Sequence, residues 1–180
     1  MTSTEPTAST DGSQNATDSA PAPAATVPST STAPVKLDAT SAAALQLALR
    51  AENAAIWAYS LVAVNDQGDS DTINQMISQH LVRRDAAETR LADGGVTPTP
   101  PAPAYATPAA TDVKSARALA ISIENDCAAG WLSVVAGTDN TDLRGFATSA
   151  LTEAAVRLVQ WKQLAKISPA TTPFPGQQTG

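Results

Sequence analysis

The sequence predicts an all-α fold, an antiparallel four-helix bundle, on the basis of three observations. Beyond about residue 38, four alanine-rich stretches of about 25 residues each alternate with turn-forming clusters, and each stretch would form a helix of about 37 Å. Apolar residues within the stretches recur every three or four positions, which is the spacing of one helix face. The 13 prolines all lie outside these stretches.

The first two helices are predicted on either side of a short turn. The first runs from about Thr40 to Val64 and ends at a turn cluster, residues 65–68. The second begins at Asp69, where acidic and hydroxyl side chains suit a helix N-terminus, and stops at Gly94. Because the turn is short, these helices are expected to form an antiparallel hairpin.

The third and fourth helices follow the same plan. The third begins near Thr111 and Asp112 and ends at Gly137. The fourth begins within residues 139–142 and closes before Ser168, because the residue before a proline is disfavoured in the helical conformation. These two helices therefore form a second predicted hairpin.

The long connection between helices two and three sets the topology. Residues 95–108 contain five prolines and are too long for a hairpin turn. In an extended conformation, at about 3.1 Å per residue, this crossover spans the length of a helix. Helices two and three are therefore predicted to run parallel, which is the ferritin-like arrangement of a four-helix bundle with one long proline-rich crossover.

Composition divides the chain into three predicted regions. Residues 1–38 form a disordered tail rich in Thr, Ser, Ala and Pro, because their first 35 residues contain no aromatic residue, Leu or Ile that could form a core. Residues 39–168 form the bundle, and residues 169–180 form a C-terminal extension. The tail lacks the basic and apolar regions of a signal peptide, so we expect a cytoplasmic protein.

Charge and hydropathy exclude two classes of partner. The formal net charge of −6 opposes binding to nucleic acid, because the field of the protein repels phosphate. Charged and polar residues interrupt each apolar stretch before it reaches the length of a membrane span, so no membrane association is expected. The single cysteine, Cys127, excludes an intramolecular disulfide, and we expect it to serve packing.

An internal repeat relates the two predicted hairpins. A shift of 72 residues pairs Glu52-Asn53 with Glu124-Asn125. One further residue of shift pairs His80 with Glu153, and Arg84 with Arg157. A duplicated half-bundle would place such polar residues at matching depths.

Four short motifs connect the chain to a known family: AENAAIWAY at residues 51–59, HLVRRD at 80–85, PAPAY at 101–105 and FPG at 174–176. Through them, roughly residues 41–176 resemble the alanine-rich, ferritin-like bacterial proteins of unknown function that are common in high-GC actinobacteria. Members often have Ala-Glu-His-Ala-Ala in the first motif, so Asn53 is a departure. The resemblance implies the fold and a dimer, and it implies no reaction.

The centre of the predicted bundle carries four candidate metal ligands. Ferritin-like di-iron proteins use one Glu from each of two helices and a Glu-x-x-His motif from each of the other two. Glu52 and Glu124 match the single-Glu positions, whereas the second and fourth helices offer only half-motifs, His80 and Glu153. An iron or manganese ion bound by these four residues is one interpretation.

Arginines at the same depth favour a second interpretation without a cofactor. Arg84 follows His80 by one turn, Arg157 follows Glu153 by one turn, and Arg83 lies beside them. These cations would repel a metal, so a polar network that includes Tyr59 is the preferred interpretation. A surface pairing of Glu153 with Arg157, and a purely structural His80, are the simpler alternatives.

Two classes of function remain open at this stage. The preferred one is a non-enzymatic bundle that acts by association, as a homodimer or with an unidentified protein, with Trp57, Trp131 and Trp161 either filling gaps or forming a contact surface. The other is a metal-binding redox or storage protein. They differ in whether Arg84 and Arg157 point into the centre.

Overall fold

The computed structural model describes residues 36–177 and contains four long helices. Helix α1 spans Ala39–Asn65, α2 spans Ser70–Asp93, α3 spans Val113–Gly137 and α4 spans Thr141–Leu164, with a short 3₁₀ turn at Gln67–Asp69 before α2. No strand occurs within residues 36–177. The predicted all-α four-helix fold is therefore confirmed. Most of the predicted disordered tail, residues 1–35, lies outside the described residues.

Side-chain caps explain why three of the helices begin where they do. Asp38 accepts a hydrogen bond from the Ser41 backbone nitrogen at the start of α1, and Asn140 caps α4 through Leu143. Asp112 and Ser115 form a reciprocal capping box at the start of α3. Helix α2 differs from expectation, because Asp69 makes no side-chain cap and is bonded to another helix instead.

Contacts between helix ends establish the directions of the helices. The start of α1 meets the end of α3 where Ser41 bonds Thr138, and Leu37 bonds Gly94 just after α2. At the opposite end, Arg117 near the start of α3 bonds Asp66 and also the carbonyl of Leu164, the last residue of α4. Helices α1 and α4 therefore run opposite to α2 and α3, which confirms the predicted parallel pair.

The crossover runs along α1 from one end of the bundle to the other. Near the start of α1, Gln46 bonds the backbone of Thr97 and Thr99. Farther along, Tyr105 packs on Trp57 with ring centroids 6.1 Å apart, and at the far end Asn65 bonds the carbonyl of Ala110. The chain is thus returned to the end of the bundle from which α3 starts.

Two apolar clusters fill the interior on either side of a polar level. One cluster includes Val62 and Ile73, and the other includes Leu49 and Leu91. Small residues let the helices approach closely, since a β-carbon added at Gly130 of α3 would lie 3.2 Å from the Cα of Ala48. Between the two clusters, α1 and α2 place charged side chains in the interior.

Helices α2 and α4 enclose an open groove. Helix α1 packs on α2 and α3, and α3 packs on α4, but α2 and α4 are separated by a groove of about 710 Å³. The bundle is therefore closed on three sides and accessible between α2 and α4. Separately, none of the helices within residues 36–177 has the length and apolar composition that a membrane span requires.

Candidate functional site

The centre of the bundle contains a histidine held between two carboxylates. His80 of α2 lies with Nδ1 2.7 Å from Glu52 Oε2 of α1 and Nε2 3.0 Å from Glu124 Oε1 of α3. All three side chains are 0 % exposed. Each ring nitrogen faces a carboxylate oxygen, and only the doubly protonated imidazolium can donate to both.

Helix α4 contributes a second cation. The Arg157 Nε atom lies 3.0 Å from Glu124 Oε1 and 2.9 Å from Oε2, and Arg157 is 3 % exposed. The Tyr59 hydroxyl of α1 donates to the same Glu124 Oε1 at 2.5 Å. Three side chains from three other helices therefore converge on Glu124.

Two indoles complete the hydrogen bonding of the cluster. Trp131 Nε1 of α3 donates to Glu52 Oε1 at 2.6 Å, and Trp161 Nε1 of α4 donates to the Tyr59 hydroxyl oxygen at 2.6 Å. Both tryptophans are fully buried. This corrects the expectation that they could form a contact surface, because their apolar rings fill the core and their nitrogens find polar partners inside it.

Mutual attraction stabilises the charged forms of the central groups. Burial alone would lower the pKa of His80, but hydrogen bonds and charge interactions with Glu124 and Glu52 raise it to about 9. Burial would raise the pKa of Glu124, yet His80 and Arg157 hold it below its ordinary value. At neutral pH His80 is therefore protonated and Glu124 is ionised.

Two neighbouring groups are held neutral. Burial, together with the Glu124 carboxylate, raises the pKa of Tyr59 well above its ordinary value. Burial and the charges of Glu52 and Glu124 do the same to the pKa of the Cys127 thiol. Both groups therefore keep their protons at neutral pH, and Tyr59 can act as a hydrogen-bond donor to Glu124.

The structure brings together five of the eight predicted site residues: Glu52, Tyr59, His80, Glu124 and Arg157. The expected central positions of Glu153, Arg83 and Arg84 are wrong. Glu153, with 44 % of its side chain exposed, pairs with Arg83 at 2.5 Å, and Arg84 pairs with its neighbour Asp85. Glu153 lies one turn before Arg157 on the same side of α4. Its carboxylate bonds Arg83 at the α2–α4 groove instead of the central groups that Arg157 reaches.

Cys127 lies closer to the charged groups than its predicted packing role implies. One ligand atom each from Glu52, His80 and Cys127 lies within 4.8 Å of the other two. The thiol itself approaches the Ala51 carbonyl oxygen at 3.7 Å. Among residues 36–177, these three side chains form the group whose metal-ligand atoms lie close enough together to bind one ion.

Asn53 is a buried residue whose amide nitrogen has no hydrogen-bond partner among residues 36–177. It follows Glu52 on α1 and is 4 % exposed. A buried amide without a partner costs free energy, so this position does not add stability through hydrogen bonding. Nothing in the structure explains why an amide occupies it.

The fold and site define a class: a four-helix bundle with one long crossover and a buried cluster of Glu, His and Arg at its centre. Residues 44–179 match the family described as Domain of unknown function (DUF4439), and the chain belongs to this family. A crystal structure of a conserved hypothetical protein, rv2844, from Mycobacterium tuberculosis is similar, with 35 % identity and a TM-score of 0.69. The match covers 76 % of this chain and 97 % of that one. No curated protein matches the sequence.

Proposed function

We propose that this protein is a non-enzymatic helical bundle that acts by association, and that its polar cluster is a charge-compensated remnant of a ferritin-like metal site. The observation that carries the proposal is the contact of Arg157 with both oxygens of Glu124. An arginine bonded in this way occupies the carboxylate with a permanent cation. The crossover topology and the paired glutamates on α1 and α3 support the ferritin-like origin.

The balance of charge supports a structural role for the cluster. Glu52 and Glu124 are matched by Arg157 and by a protonated His80, so the four groups sum to zero without a metal. A di-iron site requires an excess of carboxylate to balance its ions. Buried networks of this kind hold helices in one register more reliably than they add stability.

Burial of the reactive groups supports the non-enzymatic part of the proposal. The Tyr59 hydroxyl, the His80 imidazole and the Cys127 thiol belong to residues with 0 % exposure. The hydroxyl and the imidazole are already bonded to Glu124. A substrate would have to displace these bonds before it could reach any of the three groups.

Metal analysis tests this proposal directly. Protein purified after growth with iron, manganese and zinc should contain well under one ion per chain, and a chelator should leave its melting temperature unchanged. Stoichiometric metal together with a melting temperature that falls on chelation would refute the proposal, since metal binding to the folded state adds stability.

A metal-binding redox or storage protein is the second candidate, and the proximity of Glu52, His80 and Cys127 favours it. An ion at these ligands would bind the thiolate and the neutral imidazole, so it would select a metal that accepts sulfur. Co²⁺ titration distinguishes the candidates, because a Co²⁺–thiolate bond gives an intense near-ultraviolet band. The second candidate requires that band in the native chain and its loss in Cys127→Ser, whose folding is checked by circular dichroism.

A further inference from the structure

The groove between α2 and α4 has the size of a small-molecule site. Its volume of about 710 Å³ falls within the range of ordinary ligand pockets, roughly 300–1,000 Å³. Both helices contribute to it, and the residues that matter here are Gln75, Gln79, Val82, Val156, Arg157 and Gln160. None of these six was predicted as a ligand-binding residue from the sequence, and only Arg157 takes part in the central cluster.

Arg157 lies at the inner wall of this groove with part of its guanidinium unused. The Nε atom is committed to Glu124, while Nη1 is 3.5 Å from Gln79 Oε1, at the outer limit of a hydrogen bond. Nη2 makes no hydrogen bond to any residue in 36–177. Arg157 is 3 % exposed and lines the groove, so its terminal nitrogens have hydrogen-bonding capacity there that the side chains of residues 36–177 do not fully use.

The remaining charges of the groove cancel each other. Arg83 and Glu153 face it from opposite helices and form an ion pair of 2.5 Å. Arg157, whose Nε is paired with Glu124, thus supplies the charged hydrogen-bond donors of this groove that are not committed to the Arg83–Glu153 pair. A planar guanidinium with free terminal nitrogens suits a carboxylate, which can accept two parallel hydrogen bonds.

The walls of the groove combine amides with aliphatic groups. Gln75, Gln79 and Gln160 offer carboxamides that both donate and accept hydrogen bonds. Val82 and Val156 are 69 % and 52 % exposed, so each valine presents apolar surface on which a ligand could pack. A ligand that matches Arg157, the glutamines and the valines carries a carboxylate, an amide and a short aliphatic group.

We propose that the α2–α4 groove binds a small carboxylate that carries an amide and a branched aliphatic group, the chemistry of an N-acylated amino acid. The carboxylate bonds the free donors of Arg157, the amide bonds the glutamines, and the aliphatic group packs on Val82 and Val156. In small-molecule sites, a few polar groups beside apolar surface determine the orientation of the ligand. This assignment adds a ligand to the bundle at a groove that the candidate metal ligands Glu52, His80 and Cys127 do not line.

Two probes that differ only in the charged group test the proposal. The full-length protein is titrated with N-acetylvaline and with N-acetylvalinamide, while NMR follows the glutamine side-chain amides and the methyl groups of Val82 and Val156. We expect saturable shifts at these groups with the acid and at least about tenfold weaker binding of the amide, a difference of about 1.4 kcal/mol. Absence of saturable shifts with the acid, or equal affinity for both probes, overturns the proposal.

Variants at exposed positions locate the site without disturbing the core. Val156→Glu places a negative charge in the groove and should weaken N-acetylvaline binding by about tenfold. Thr148→Glu adds the same charge to an exposed position on α4 outside the groove and should change the affinity by less than about twofold. Equal weakening by both variants would show that the shifts arise elsewhere and would overturn the assignment. Their folding is verified by circular dichroism.

Discussion

The two helical hairpins supply the two halves of the polar cluster, and they do so differently. The hairpin α1–α2 contributes Glu52 and His80, and the hairpin α3–α4 contributes Glu124 and Arg157. The glutamates obey the 72-residue repeat of the sequence, but the cations do not, since the residue matched to His80 is Glu153. The first helix of each hairpin places a glutamate at the matching position, whereas the second helices differ in the residue that joins the cluster.

The difference extends to the neutral donors. The same 72-residue shift pairs Tyr59 with Trp131, and each donates to the glutamate of the other hairpin. This reciprocal exchange crosses the contact between α1 and α3, where Gly130 lies close against Ala48. The symmetric part of the cluster is therefore the part built by α1 and α3, and the asymmetry arises beside the open α2–α4 groove.

The largest expected effect tests whether Glu124 contributes more than Glu52 to the stability of the fold. Glu124→Gln removes the anion that faces both His80 and Arg157, and we expect a loss of about 3–5 kcal/mol in unfolding free energy. Glu52→Gln should cost about 2–3 kcal/mol, because its amide oxygen can still accept from Trp131. Urea denaturation at pH 7 measures both. Losses within about 0.5 kcal/mol for each would mean that the network contributes no stability.

The second prediction concerns pH and the histidine shared by both hairpins. The folded-state pKa of His80 is about 9, above the ordinary value of 6.5, so the folded state binds more protons between these values. Stability from this group is therefore complete below about pH 6.5 and is lost as pH rises through about 9, by roughly 3 kcal/mol in total. Urea denaturation at several pH values from 6 to 10 should show this decline.

His80→Gln is the matched control for the pH dependence. Glutamine can still bond one of the two carboxylates but does not titrate, so the decline between pH 6.5 and 9 should disappear. An equally steep decline in His80→Gln would assign the effect to another group and would remove the evidence for an imidazolium in the cluster.

The sequence predicts the backbone well because its signals are local. Periodicity, the turn clusters and the caps at Asp112 and Asn140 each act within a few residues, and the observed helix ends lie within about two residues of prediction at most boundaries. Helix α4 is the exception at its C-terminus. It ends at Leu164 because Ile167 bonds back to the Lys162 carbonyl and Lys166 adopts a positive φ of 57°.

The site is less predictable because it depends on which side chains of neighbouring helices meet at each depth of the bundle. Glu153 and Arg157 lie one turn apart on the same side of α4, and the partners at each depth decide which of them joins the central cluster. The sequence pattern also did not predict that Trp131 donates a hydrogen bond to Glu52, although the 72-residue shift pairs Trp131 with Tyr59. Side-chain partners across helices depend on packing distances that periodicity does not encode.

The third prediction compares the two indoles, which serve the two glutamates by different routes. Trp131 donates directly to the Glu52 carboxylate, whereas Trp161 reaches Glu124 only through the neutral Tyr59 hydroxyl. Loss of a hydrogen bond to a charged group costs about 1.5–3 kcal/mol, and loss of a neutral one costs about 0.5–1.5 kcal/mol. Since Trp→Phe removes a similar volume at both positions, Trp131→Phe should lower the unfolding free energy more than Trp161→Phe. The reverse order would contradict the proposed routes.

The smallest expected effect lies at the residue that breaks the repeat. Glu153 is the counterpart of His80 in the second hairpin, but it is 44 % exposed and pairs with Arg83 across the groove. Exposed ion pairs contribute about 1 kcal/mol or less, because water screens the charges and two long side chains must be ordered. Glu153→Gln should therefore change the unfolding free energy by less than about 1 kcal/mol, whereas Glu124→Gln costs several times more. A loss from Glu153→Gln as large as that from Glu124→Gln would mean that Glu153 points into the centre in solution, and both hairpins would then use the same inward turn.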